Sequence, residues 1–314
     1  MTITAAAEAP GTDSPAFASY PSRDTLLGHL PISRALPLRQ LRTVGPWCFL
    51  DRFGPLAFTD GKPMDVPPHP HIGLQTVSWL LEGEVLHTDS LGCEAAVRPG
   101  GVNVMTAGRG ISHAEQTPTH HSGSLTRRLN GVQLWIALPD AQRDVEPSFA
   151  GIAETPLREL PGGLLRVFAG ALGGVHSPAP HFSPLAGADV QVHPGAIVEV
   201  ALDPTFEHGL LVLEGECLLD NQRLDSRALH VTAPGRSGAA FASPSGARLL
   251  VIGGPPFAEQ ILMWWNFVAR TPEEIAAARA DWEAGRRFGE VRGYPKPRLA
   301  APELARVARP NPLS

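Results

Sequence analysis

Two short residue pairs hold the side chains most capable of chemistry in this 314-residue sequence. His69-Pro70-His71 sets two imidazoles at i and i+2, and on an extended chain residues two apart point to the same face. His113-Ala114-Glu115 repeats the spacing, with His113 lying 42 residues after His71. If both segments are strands facing one barrel interior, three imidazoles and one carboxylate converge, which is a donor set for a transition metal. Such a set suits Fe, Mn, Co, Ni, Cu or Zn, whereas Ca²⁺ and Mg²⁺ require more oxygen. Four protein ligands leave two open positions on a six-coordinate ion and none on tetrahedral zinc. A chain with 12 histidines also produces H-x-H pairs by chance, so spacing alone keeps ordinary core or surface histidines as the alternative.

Positioning these side chains requires strands, and the sequence supplies them. From about residue 25 to 265, short apolar runs recur between turn formers, helped by 32 Gly and 32 Pro: Trp47 to Leu50, Thr76 to Leu81, Val102 to Met105, Val132 to Leu138, Leu164 to Ala169, Ala196 to Leu202, Leu210 to Leu213, Ala228 to Val231 and Leu249 to Ile252. This pattern predicts an all-β barrel or sandwich. One helix is expected, opened by Thr271-Pro272-Glu273-Glu274 and running to about Arg287, with Ile275, Ala278 and Trp282 as its buried stripe. Prolines 295, 297, 302, 310 and 312 then predict a tail extended over the surface. Residues 1–22 show no apolar period and read as a mobile arm.

Two echoes suggest an internal duplication. Leu81-Glu82-Gly83-Glu84 recurs as Leu213-Glu214-Gly215-Glu216, 132 residues on, and Ala107-Gly108-Arg109 is echoed by Pro234-Gly235-Arg236, 127 residues on. Shifting the two metal pairs by these offsets lands on Ala201 and Asp203, and on Ala240 and Ala242. The second unit therefore lacks the metal set, and its His193, His208 and His230 read as structural.

Composition narrows the function classes. Lys plus Arg total 26 against 31 Asp plus Glu, a net charge of −5, which argues against direct nucleic-acid binding by a broad basic surface. A hydrophobic content of 43% and a mean hydropathy of −0.03 fit a soluble globular chain with no membrane span. Cys48, Cys93 and Cys217 form no C-x-x-C pair and the N-terminus shows no secretory pattern, so a reducing, cytoplasmic setting is expected. No Ser-His-Asp arrangement, phosphate-cradling loop or dinucleotide fingerprint stands out.

Several segments, in this order, resemble the pirin family, a bicupin branch of the cupin superfamily: Val44-Gly45-Pro46, Phe49-Leu50-Asp51-Arg52-Phe53-Gly54-Pro55, Pro68 to Val77, Leu81-Glu82-Gly83-Glu84, Met105 to Ile111 with His113-Ala114-Glu115, Gln133-Leu134-Trp135, and Gly253-Gly254-Pro255 through Trp265-Asn266-Phe267-Val268 to the helix. The resemblance covers about residues 25 to 290. It implies two cupin-type β-barrels with a C-terminal helix and tail: an arm over 1–22, a metal-binding barrel over 23–140, a barrel without metal ligands over 141–270, and helix plus tail over 271–314. It further implies Fe(II) held by His69, His71, His113 and Glu115, and an iron-dependent dioxygenase opening a flavonol such as quercetin, a small aromatic substrate. Glu115 would serve as ligand and proton acceptor in turn. The alternative it implies is a redox-sensitive regulator acting on transcription factors or a metabolic enzyme through a protein partner. Some members carry glutamate four residues after the second histidine; here it is Gln75, a poor metal competitor suited to bonding a ligated water or imidazole. Among weaker candidates, His87 reads either as orienting a ligand or substrate or as a solvated strand-end residue. Glu82 and Glu84 read as exposed hairpin carboxylates, Arg109 as pinning the loop before His113, and His120-His121 as exposed.

Overall fold

The computed structural model describes residues 17–58, 64–118 and 128–304. Its strands form two large and two small antiparallel sheets plus one short hairpin, Leu262–Trp264 with Phe267–Ala269. In the first unit the large sheet runs Ser148–Ile152, Val102–Thr106, Leu74–Glu82, Arg128–Ala137, Trp47–Ala57, Leu30–Leu36, Arg23–Leu27. The small sheet of that unit runs Asp65–His71, Ile111–Gln116, Val85–Asp89, Glu94–Val97. In the second unit the large sheet runs Ala18–Pro21, Ala228–Thr232, Glu207–Gly215, Ala247–Gly254, Ala186–Val192, Gly163–Leu172, Leu157–Leu160, with Val175–His176 also paired to Gly163–Leu172. Its small sheet runs Ala196–Ala201, Gly238–Ser243, Cys217–Leu219, Gln222–Leu224. Each unit is a pair of facing, unclosed sheets, and the apolar runs expected as strands lie in them.

The large sheets explain why those runs lack clean alternation. Leu74 to Leu80 is buried at every position because the strand is covered on both faces. One face, through Val77 and Trp79, joins Trp47, Leu50 and Val132 against Phe168, Leu211, Leu229 and Ile252 of the second unit. The other face joins Cys48, Phe49, Met105 and Trp135 inside the first unit. The buried indoles stay paired across this junction: the Trp79 indole N–H donates to Asp189 (3.1 Å), which also binds Arg248, and the Trp47 indole N–H donates to the Ala186 and Gly253 carbonyls.

Three expectations need correction. Ala18–Pro21, placed in the N-terminal arm, is an edge strand of the second unit, paired from Ala18 opposite Val231 to Pro21 opposite Ala228. Ser148–Ile152, beyond the expected boundary at residue 140, pairs with Val102–Thr106 of the first unit. Both cover a sheet edge whose free N–H and C=O groups need partners, a requirement set by topology and invisible in local periodicity. The tail, finally, does not simply run over the surface. Phe288, Val291 and Ala301 are buried, and the Phe288 ring stacks on Phe267 at 5.8 Å.

The helix, Pro272–Glu283, starts as expected and ends at its C-cap Ala284, short of the expected Arg287. Thr271 is its N-cap, accepting from the Glu274 N–H, and Ile275, Ala278 and Trp282 are its buried residues. Among the described residues no helix is long and apolar enough to cross a membrane.

Candidate metal centre

His69 and His71 lie on Asp65–His71, and His113 and Glu115 on the neighbouring Ile111–Gln116. The register sets His113 opposite His69, and a bulge between His113 and Glu115 shifts the pairing so that Glu115 faces Val66. His69, His71 and His113 are all buried and their ligand atoms lie within 4.8 Å of one another. Glu115 is not in that trio. It forms a second group with His87 and His113, so His113 belongs to both. The Glu115 carboxylate accepts from the Ser78 hydroxyl at 3.1 Å.

The surroundings assign the ring protons. His69 Nδ1 faces the Pro67 carbonyl (2.9 Å) and His71 Nδ1 the Asn266 carbonyl (3.0 Å); a carbonyl only accepts, so both Nδ1 atoms carry hydrogen and both Nε2 atoms keep a lone pair. His87 Nε2 sits 3.0 Å from the Asp89 carboxylate and donates to it. A His87 that donates from Nε2 alone accepts at Nδ1 from His113 Nδ1, 3.2 Å away, which leaves a lone pair on His113 Nε2. That nitrogen lies 3.0 Å from His71 Nε2. Two lone pairs at this distance repel unless a cation lies between them, so the donors fit a metal ion with imidazole ligands.

Electrostatics agree with this assignment. Burial pushes His69 down to about 4, against the pull of the Pro67 carbonyl. Burial, then the neighbouring imidazoles, hold His71 and His113 well below the ordinary histidine range. The rings are therefore neutral, the form that ligates. Burial raises the Glu115 carboxyl, while His87 and the Ser78 hydroxyl oppose the rise.

Distant segments brace both ligand strands. Ile72 bridges Phe267, and the Val268 N–H donates to the Ile72 carbonyl. Gly73 makes this approach feasible: its φ is +68° and a Cβ there would sit 2.1 Å from the Val268 oxygen. Ser112, adjacent to His113 and opposite Pro70 in the ladder, directs its hydroxyl at the Phe288 and Gly289 carbonyls of the tail. The Leu299 N–H donates to the Pro68 carbonyl beside His69.

The other sequence candidates divide. His87 is buried and stacks on Phe149 at 4.5 Å, so it is no solvated strand end. Asp89 was not anticipated, although His87-Thr88-Asp89 has the same i, i+2 spacing that singled out the histidine pairs. Gln75 does not reach the cluster: its amide donates to the Thr106 hydroxyl and the Pro180 carbonyl, on the face opposite Ser78. Glu84 is buried and held bidentately by Arg98, unlike the exposed carboxylate expected, whereas Glu82 pairs with Arg128 at the surface. Arg109 pairs with Glu146 while its N–H donates to the Val145 carbonyl, which anchors its loop. His230 bonds Ser19 and the Asp225 carbonyl, His193 is exposed, and His120-His121 lies outside the described residues.

In the second unit Ala201 pairs with Gly238 as His71 pairs with Ile111. Burial fixes the correspondence: Ala201 and Glu199 are exposed, whereas Val200 and Val198, paired with Ala239 and Phe241, face the core, so the inward-facing His71 and His69 correspond to Val200 and Val198, a 129-residue shift in place of the 132 read from the sequence echo.

Comparison with known proteins agrees with this architecture. Residues 29–136 match the Pirin family model and residues 187–289 the Pirin C-terminal cupin domain. A Pseudomonas aeruginosa protein provisionally named a quercetin 2,3-dioxygenase is 44% identical over 278 residues, 88% of this chain and 87% of that one. A pirin-like protein of Caulobacter vibrioides is 38% identical, with 85% and 93% covered. The crystal structure of a quercetin 2,3-dioxygenase from Acinetobacter baumannii superposes with a TM-score of 0.88 at 40% identity, covering 94% of this chain and 97% of that one. Matched along both of its units, with facing sheets and a buried histidine cluster in the first, the chain belongs to the pirin family.

Proposed function

We propose that this protein is a metal-dependent dioxygenase that opens a flavonol such as quercetin, with Fe(II) held by His69, His71, His113 and Glu115. The observation that carries this reading is the convergence of three buried, neutral imidazoles, their free nitrogens directed at one another beside a buried carboxylate. The names of the P. aeruginosa and A. baumannii relatives support the choice of substrate. When bound, the metal supplies Lewis acidity and a template for a chelating hydroxy-ketone.

The remaining work falls to the chain's own side chains. The Pro67 and Asn266 carbonyls and the Asp89–His87 pair fix each ring's orientation, so the ligand nitrogens need no reorganisation. Glu115, its carboxyl raised by burial, accepts the flavonol hydroxyl proton, with Ser78 steadying one oxygen. Trp135, edge-on to His71 at 5.2 Å and stacked on Phe49 at 4.0 Å, provides a flat apolar wall suited to an aromatic substrate. Anaerobic addition of quercetin to iron-loaded protein, followed by oxygen, tests the reading. Carbon monoxide and the depside are expected in equal amounts, and a fully loaded protein that binds quercetin yet releases neither refutes flavonol cleavage.

A further inference from the structure

The second unit has its own cavity, at the end corresponding to the metal centre of the first. It measures about 700 Å³ and lies between the Gly163–Leu172 strand end, the loop through Phe182 and the Ala196–Ala201 strand end. Ala201, exposed at the end of its strand, lines it, while Val200, the inward-facing counterpart of His71, is packed in the core of the second unit. His208, on the Glu207–Gly215 strand, lies at its base. Gly253, directly across the ladder, leaves room for the ring, since a Cβ there would sit 2.9 Å from His208 Cδ2.

His208 was expected to be structural, and the structure gives it no structural bonds. It is fully buried, and among the described residues neither ring nitrogen has a hydrogen-bond partner. By contrast, His230 in the same unit has both ring nitrogens partnered. An unpartnered buried polar group destabilises the fold, a cost that native folds retain where a ligand or water restores the bonds. We propose that this cavity is a second binding site, for an uncharged aromatic molecule bearing a hydroxyl group, with His208 as its hydrogen-bonding anchor.

The walls select that class. Among the described residues no Lys or Arg lines the cavity and the one carboxylate there is Asp203, so an anion entering it finds no fixed counter-charge. Arg158 approaches the rim, but its guanidinium donates to the Gly173 carbonyl. Burial pushes His208 down to about 4, Asp203 opposing and Arg236 reinforcing the fall, so the ring is neutral with one donor and one acceptor, a match for a hydroxyl. Phe206 is buried at the cavity, and Phe182 leaves 36% of its surface exposed at the opening, offering aromatic faces to a flat ring. A cavity of this size falls within the range of small-molecule sites, about 300–1,000 Å³. The inference is independent of the reaction assigned to the first unit.

The test titrates 4-ethylphenol, a monophenol with no chelating pair, into chelator-treated full-length protein with ¹⁵N-labelled histidines. Saturable shifts of the His208 ring resonances are expected, with benzoate at least tenfold weaker. His208→Phe removes the anchor and Ala201→Leu fills the space while leaving the anchor in place; each is expected to weaken binding at least tenfold. Absence of a saturable His208 shift at millimolar 4-ethylphenol overturns the site, as does binding that both variants leave unchanged. Equal binding of benzoate overturns the ligand class, and a crystal structure with ordered waters on both His208 nitrogens that 4-ethylphenol does not displace assigns the cavity to solvent.

Discussion

Replacing Asp89 with Asn changes one atom and tests the proton assignment on which the metal centre rests. Asp89 Oδ1 accepts from the backbone N–H groups of Leu91 (2.9 Å) and Cys93 (3.0 Å), and Oδ2 accepts from His87 Nε2 (3.0 Å). In Asp89→Asn the two backbone donors require the amide oxygen at the Oδ1 position, so the NH₂ group replaces Oδ2 and faces His87. His87 must then accept at Nε2 and carry its proton on Nδ1, 3.2 Å from His113 Nδ1. The proton of His113 is displaced to Nε2, the atom 3.0 Å from His71 Nε2, and one of three lone pairs is lost to the metal. Loss of such an outer partner typically costs 10–100-fold in metal affinity, about 1.4–2.8 kcal/mol. Competition between the protein and a calibrated chelator for Zn²⁺ measures the affinity, and ¹⁵N-histidine spectra of the metal-free protein report the tautomers. Parent-like affinity, with His113 still protonated on Nδ1, would falsify the relay from Asp89 to the metal.

Other substitutions probe neighbouring parts of the structure. Gly73→Ala, at φ +68° and with its Cβ 2.1 Å from the Val268 oxygen, should cost on the order of 1–3 kcal/mol in urea denaturation and weaken metal binding; a cost below about 0.5 kcal/mol shows that the brace is dispensable. Glu115→Gln should lower metal-loaded turnover by about 10²–10⁴-fold. The same variant should raise the stability of the metal-free protein at pH 8, because a carboxyl raised by burial loses stability as pH climbs through its folded value; no gain at pH 8 contradicts that burial cost. Metal-free protein should lose stability as pH falls from 6.5 towards 4, since His69 and His208, each pushed by burial from 6.5 to about 4, refuse protons that the unfolded chain accepts. Each contributes at most about 3 kcal/mol, fully present above 6.5, and His208→Phe should flatten the urea-midpoint profile between pH 7 and 5; an unchanged slope refutes the assignment. Thr271→Ala removes the helix cap and should cost about 0.5–2 kcal/mol by thermal or urea unfolding, with no loss of metal affinity if the cap is purely local.

What was legible in the sequence was local. The i, i+2 spacing of His69 with His71 marked a strand carrying two imidazoles to one face, and the Thr271 to Glu274 run marked a helix start, because backbone alternation and capping depend on neighbours alone. The same alternation was present in His87-Thr88-Asp89, but ranking it above other polar pairs required knowing that the Val85–Asp89 strand lies beside Ile111–Gln116. Gln75 shows the converse: its place near the histidines in sequence suggested a contact, and the strand's alternation turned it towards Thr106 and Pro180.

By itself, then, the sequence determined the residue types, their faces, the duplicated strand pattern and the family. Only the tertiary structure decided which groups share a proton, which edge strands each unit borrows from beyond its expected bounds, that Phe288 and Leu299 return to brace the ligand strands, and that His208 is buried without a partner. These outcomes rest on contacts between residues far apart in sequence, such as Leu299 with Pro68 and Ala18 with Val231, where the chain must satisfy open sheet edges and buried polar groups together. No local pattern encodes that, because each such bond is set by which surface arrives opposite it.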